Sequence, residues 1–156
     1  MNETTVGGSE GRYSTCGFLF HAESGQVLLH HRDGNAPVLP DVWSFFCGGS
    51  EPEDGGDPAA TWCREMAEEL GIVLRPEQVV FLCEAPSPIT GRRRFVFYSL
   101  WPHADESFVL GEGDGFGWFT LEAALALPDL PAVAKADLHR FGRRLGLPIT
   151  GGAGAD

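Results

Sequence analysis

Apolar and polar positions alternate with period two over residues 13–22, placing Cys16, Phe18 and Phe20 on one face of a predicted strand. Glu23-Ser24-Gly25 is a turn, and residues 26–32 return as a second strand, so the pair reads as a hairpin. Residues 33–41, with two prolines and a Gly-Asn step, form a loop. Residues 42–47 make a short aromatic strand that runs into Gly48-Gly49, followed by an acidic, glycine-rich loop over 50–57. Pro58, with Asp57 as its N-cap, starts a helix that Gly71 ends. Strands follow at 79–83 and 92–101; the second is apolar on both faces from 95 to 100, which predicts a central position. A last strand at 115–119 leads into a short helix at 121–127. A final helix at 132–145 carries Ala134, Leu138, Phe141 and Leu145 on one stripe. The order predicts one mixed α/β (α+β) domain over residues 12–146, between flexible segments at 1–11 and 147–156, with no internal repeat or linker.

Composition narrows the function classes. The 156 residues hold 22 acidic and 11 basic side chains, a net charge of −11, and 43% are apolar, too many for a disordered chain. The acidic balance argues against a protein that grips a nucleic-acid polymer by its phosphates. It leaves room for a small phosphorylated substrate, because a divalent cation can bridge carboxylate to phosphate. No apolar run is long enough to span a bilayer, and the polar start lacks a signal peptide's basic end and apolar core. The expectation is a soluble, cytoplasmic protein with no membrane partner. Cys16, Cys47, Cys63 and Cys83 show no paired spacing for zinc and read as buried apolar thiols in a reducing compartment, with Cys47 notable for preceding Gly48-Gly49. His30-His31 would point to opposite faces of a strand.

On the helix from Pro58, residues Ala59, Cys63, Met66, Ala67 and Leu70 fall together as a predicted core stripe. Glu65, Glu68 and Glu69 fall on the other side within roughly 100°. Like charges at these spacings cost a few tenths of a kcal/mol each, so the cluster suggests a cation. A solvated helix face is the plain alternative. The neighbouring glycine pair and acidic loop favour the cation, because magnesium takes carboxylate and carbonyl oxygens and glycine lets a backbone carbonyl approach closely.

The segment Arg64-Glu65-Met66-Ala67-Glu68-Glu69-Leu70-Gly71-Ile72 resembles the second half of the Nudix hydrolase signature. Residues 28–32, 42–49 and 117–122 are also similar to the elements that flank that signature, so the resemblance covers roughly residues 13–145. The first half departs from the pattern. Gly49 to Arg64 is one residue longer than the family spacing, and the glutamate expected eight positions before Arg64 is Gly56, although Glu51, Glu53, Asp54 and Asp57 crowd the same loop.

The resemblance implies an α/β/α sandwich with a mixed sheet and two to three helices. It also implies hydrolysis of a nucleoside diphosphate linked to another moiety, by attack of water on phosphorus. Magnesium, with manganese as a substitute, would be held by Glu65, Glu68, Glu69 and the Gly48 carbonyl. Arg64 would fix the geometry by pairing with a carboxylate. Glu112 is the candidate for a carboxylate from a later loop that activates water, against its reading as an exposed turn residue. Arg32, Arg92 and Arg94 are candidates to meet substrate phosphates; the run Arg92–Arg94 also reads as a solvated strand end. The partner would be a nucleotide-type small molecule, and the aromatic-rich chain is open to homodimerisation. Gly56 supports an alternative, a catalytically weak nucleotide-binding regulatory module.

Overall fold

The hairpin is formed by Tyr13–His21 (β1) and Gln26–His31 (β2), joined through Gly25 and paired antiparallel at Leu19–Leu28 and Phe20–Val27. The structure is a computed structural model that describes residues 12–32, 34–35, 41–102, 108 and 115–147. The remaining elements are Trp43–Ser44 (β3), Phe46–Gly49 (β4), Pro58–Leu70 (α1), Val79–Pro86 (β5), Arg93–Leu100 (β6), Gly115–Thr120 (β7), Leu121–Leu125 (α2) and Ala132–Leu145 (α3). The calls on residues 1–11 and 148–156, and on most of the loop 33–41, lie outside the described residues.

Among the described residues seven strands form one mixed sheet in the order β3-β2-β1-β6-β5, with β4 also pairing β1 and β7 pairing β2. Among the described residues only β1 and β6 run parallel, over Tyr13–Arg93 to Phe20–Leu100. The other edge of β1 is shared. Its end at residues 19–21 pairs with β2, and its start at residues 14–17 pairs with β4.

Period-two alternation sends each strand's side chains to two separate cores. Phe18, Phe20, Val27, Leu29, Val96 and Tyr98 face α2 and α3, where they meet Leu138 and Phe141. Leu19, Leu28, Phe46 and Phe97 face α1, where they meet Trp62, Met66 and Leu70. Helices therefore cover both faces of the sheet, an α/β/α sandwich with three α-helices among the described residues. Among the described residues no helix is long and apolar enough to cross a membrane.

Helix α1 has the expected ends. The Ala59 N–H donates to Asp57 Oδ1 at 3.1 Å, and Gly71 turns left-handed at φ 69°, its N–H donating to the Ala67 carbonyl. Its inward face differs from the expected stripe. Thr61, Trp62, Glu65, Met66, Glu69 and Leu70 are buried, whereas Ala67 is exposed and Ala59 and Cys63 are half-buried. The buried arc is rotated by roughly 100° from the one hydrophobicity gives, because two glutamates lie inside it. Trp62 sets that rotation, fully buried with its indole N–H donating to Ser99 Oγ on β6 at 2.8 Å.

Other differences are smaller. The aromatic strand expected at 42–47 is broken at Phe45 into β3 and β4. Strand β5 runs on to Pro86 because it follows its partner β6 past a bulge between Phe81 and Cys83. Leu145 is 38% exposed at the end of α3, while Leu147 packs against the core that α3 covers.

Candidate active site

Helix α1 carries Arg64, Glu65, Glu68 and Glu69 to the end of β4, and these side chains differ sharply in environment. Glu65 and Glu69 are 7% and 4% exposed, whereas Glu68 faces solvent. Arg64 is the hub. Its Nε and Nη2 donate to the two oxygens of Asp54 at 2.9 and 3.0 Å, a bidentate fork. Nη2 also donates to the Gly49 carbonyl at 2.8 Å, while Nη1 reaches Glu65 at 3.2 Å and Glu68 at 3.3 Å. Glu51 lies 3.6 Å from the same nitrogen. One guanidinium thus faces four carboxylates and tethers the helix to the loop before it.

Asp54 is the partner that the sequence did not single out. It sits in a 3-10 turn, Pro52–Asp54, with Gly55 behind it, and the turn buries its side chain. The Glu51 N–H donates to Asp54 Oδ2 at 2.9 Å. Thr61 donates its single hydroxyl proton to the same oxygen at 2.7 Å, which leaves Thr61 Oγ1 to accept from the Tyr13 hydroxyl at 2.8 Å. Hydrogen bonds from Arg64 first, and then from Thr61 and the Glu51 backbone, outweigh burial and hold the Asp54 carboxyl down at about 2. Among the four acids of this loop, the proline before and the glycine after Asp54 were the signals for an inward turn. Gly56, at the position of the family glutamate, carries no side chain, and Asp54 two residues earlier supplies a carboxylate to Arg64.

Gly48 is required by space. A Cβ there would collide with the Glu65 carboxyl group, which lies directly over the β4 backbone. Glu69 points toward His30, whose Nε2 is 4.0 Å from its Oε1; His30 in turn stacks on Phe46 at 4.9 Å between ring centroids. His31 takes the opposite face, half-buried against Trp43. Among the described residues no three acidic, histidine or cysteine side chains converge on one point. The donors present are carboxylate oxygens beside a bare glycine backbone. That set suits a hard cation that keeps several waters and is not a closed cage of side chains.

The arginines separate. Arg32 and Arg94 line one cavity of about 220 Å³ together with Cys16, Ser44, Phe45 and Cys47. Arg94 is buried, and its Nη2 donates to Asp137 Oδ2 on α3 at 2.6 Å. Arg92 does not line this cavity, and Arg93 is exposed, its Nε donating to Glu84. Glu112 lies outside the described residues. The cavity opens on the α3 side of the sheet, whereas Gly48 and Glu65 meet on the α1 side. Cys47 and Gly48 are consecutive on β4, so a single residue step separates the cavity wall from the carboxylates. The cysteines depart from the expected burial: Cys16 alone is buried, Cys47 is exposed, and Cys63 and Cys83 are half-buried.

A mixed sheet sandwiched by helices, with an acidic helix clamped by its own arginine beside a Gly-Gly strand, is the arrangement that the resemblance to the Nudix signature implies. The NUDIX domain family matches residues 12–140. The chain belongs to the Nudix family and is a Nudix hydrolase. The fold is similar to a MutT protein from Methanosarcina mazei, at 22% identity and a TM-score of 0.70 over 85% of this chain and 94% of that one. It is also similar to the Escherichia coli dihydroneopterin triphosphate pyrophosphohydrolase, at 20% identity and a TM-score of 0.65 over 85% and 95% of the two chains. The Nudix domain of Shewanella oneidensis NrtR, solved with ADP ribose, shares 19% identity at a TM-score of 0.65 over 86% of each chain. Among curated proteins, none matches the sequence.

Proposed function

We propose that this protein hydrolyses the pyrophosphate bond of a nucleoside diphosphate linked to another moiety, with magnesium or manganese held by Glu65, Glu68, Glu69 and the Gly48 carbonyl. The observation that carries this reading is the pair of buried glutamates on α1, one of them lying over Gly48 and clamped by Arg64. Arg64 offsets part of the cost of burying carboxylates here, and a divalent cation bound beside them would offset more. When bound, the cation neutralises phosphate charge and lowers the pKa of attacking water. Arg64 holds Glu65 and Glu68 in place. Glu112 remains the candidate carboxylate from a later loop that orients the water.

The cavity holding Arg32 and Arg94 would take the nucleoside end, with the phosphates crossing β4 at Gly48-Gly49 toward α1. Similar structures solved with ADP ribose, or named for action on dihydroneopterin triphosphate, support a nucleotide-type ligand. The same reading makes the protein a cytoplasmic one whose partner is a small molecule rather than a nucleic-acid polymer, and a homodimer is consistent with it. The regulatory-module alternative drew its support from Gly56; Asp54 on Arg64 weakens that support.

The test is phosphate release from a broad nucleotide panel with magnesium, with and without chelator, beside the Glu69→Gln protein. Chelation should abolish turnover, and the variant should lose more than about a hundredfold. Undiminished turnover in both would overturn the proposal, and nucleotide binding without any turnover would favour the regulatory module.

A further inference from the structure

Cys16 and Cys47 are separated by most of the first fifty residues, yet they are directly opposite partners across the antiparallel β1–β4 pair. Opposite residues on such strands have Cα atoms about 4.5–5.5 Å apart, inside the span a disulfide requires. The Cys47 and Cys16 sulfurs lie 2.6 Å apart. Both side chains line the cavity that Arg32 and Arg94 share, Cys47 from an exposed position and Cys16 from the interior. The other two thiols sit elsewhere, Cys63 on α1 and Cys83 on β5 facing Asp137. The nucleotide chemistry described above uses none of the four.

We propose that Cys16 and Cys47 form a reversible dithiol–disulfide site within the cavity, with a small hydroperoxide as its oxidant. Cys47, the exposed thiol, attacks the terminal peroxide oxygen, the O–O bond breaks, and the cysteine becomes a sulfenic acid as water or alcohol leaves. The Cys16 sulfur then attacks the Cys47 sulfur, the S–O bond breaks, and the departing hydroxide leaves as water with the Cys16 proton. Two electrons pass from the sulfur pair to the peroxide, so two thiols and hydrogen peroxide give one disulfide and two waters. A dithiol reductant reverses the change. The disulfide fastens β1 to β4 one residue before Gly48 and removes both S–H groups from the cavity wall.

The test treats the reduced full-length protein with hydrogen peroxide and follows free thiols, intact mass and the peptide map. The expected result is loss of two thiols and two hydrogens, a linked peptide joining Cys16 to Cys47, and restoration by dithiothreitol. The doubly substituted Cys63→Ser/Cys83→Ser protein should form the same link. Cys16→Ser and Cys47→Ser should each abolish it. Thermal unfolding gives a second reading, since an intramolecular crosslink raises Tm in the oxidised form and leaves the reduced form unchanged. Retention of all four thiols, oxidation of Cys47 alone to a sulfinic acid, or linkage only between molecules would each overturn the proposal.

Discussion

Removing the Asp54 carboxylate leaves the Arg64 guanidinium without its bidentate partner and strands the Thr61 hydroxyl and the Glu51 N–H. Asp54→Asn should destabilise the fold by about 2–3 kcal/mol, seen as a lower urea midpoint, with turnover falling as Arg64 loosens its hold on Glu65 and Glu68. The same group gives a pH signature. Its carboxyl ordinarily titrates at 3.8 and in the fold at about 2, so its contribution is complete above the higher value and is lost as pH falls through the lower one. Urea midpoints across that acid range should fall less steeply in Asp54→Asn than in the parent. At Gly48 the effect is steric: Gly48→Ala pushes a methyl group into the Glu65 carboxylate. Its activity should drop by at least about tenfold, with the far-ultraviolet circular dichroism spectrum retained. At this scale the sequence displayed the acidic cluster on α1 plainly, because Glu65, Glu68 and Glu69 fall within one short stretch at helical spacing. Asp54 was one acid among four, and Pro52 and Gly55 mark the turn without showing which of its carboxylates meets Arg64.

At the scale of elements, α1 and α3 are both pinned to the sheet by buried polar contacts. Trp62 ties α1 to Ser99, and Arg94 on β6 ties to Asp137 on α3, where Arg140 adds a contact at 3.5 Å. Neutralising Asp137 leaves a buried guanidinium uncompensated, so Asp137→Asn should cost about 3 kcal/mol in chemical denaturation and reshape the cavity that Arg94 lines. Most elements were legible from period and punctuation, and the ends of α1 and α3 follow Pro58, Gly71 and Gly146 closely. The rotation of α1 was not. Hydrophobicity assigns Ala67 inward and Glu65 and Glu69 outward, and the order reverses because Trp62 fills the core and the glutamates line its margin. Where carboxylates take positions on the inward arc of a helix, its apolar stripe points partly away from the true interior.

Across the whole molecule, an excess of acid is concentrated where it is least comfortable. Arg64 faces four carboxylates with one charge, so like charges stand close together in one corner of an already acidic chain. A divalent ion bound there relieves that repulsion in the folded state alone. Magnesium at about a hundred times its Kd should therefore add about 2.7 kcal/mol to folding and raise Tm, and Glu69→Gln should blunt the rise. A thermal melt with and without magnesium reads this directly. An unchanged Tm in the parent protein would mean that the ion enters only with substrate phosphates.

The thinness of β4 has a consequence for any ligand that uses both sides of it. In the proposed binding mode, with the nucleoside in the cavity and the phosphates beyond Gly48, the two halves of the ligand would act as linked ligands for two half-sites. Each half alone binds weakly, while their covalent joining gives the second contact a high effective concentration. Cleaving the phosphoanhydride cuts that linker. Each product then keeps one half-site only, so the chemical step itself shortens the residence time of what it makes.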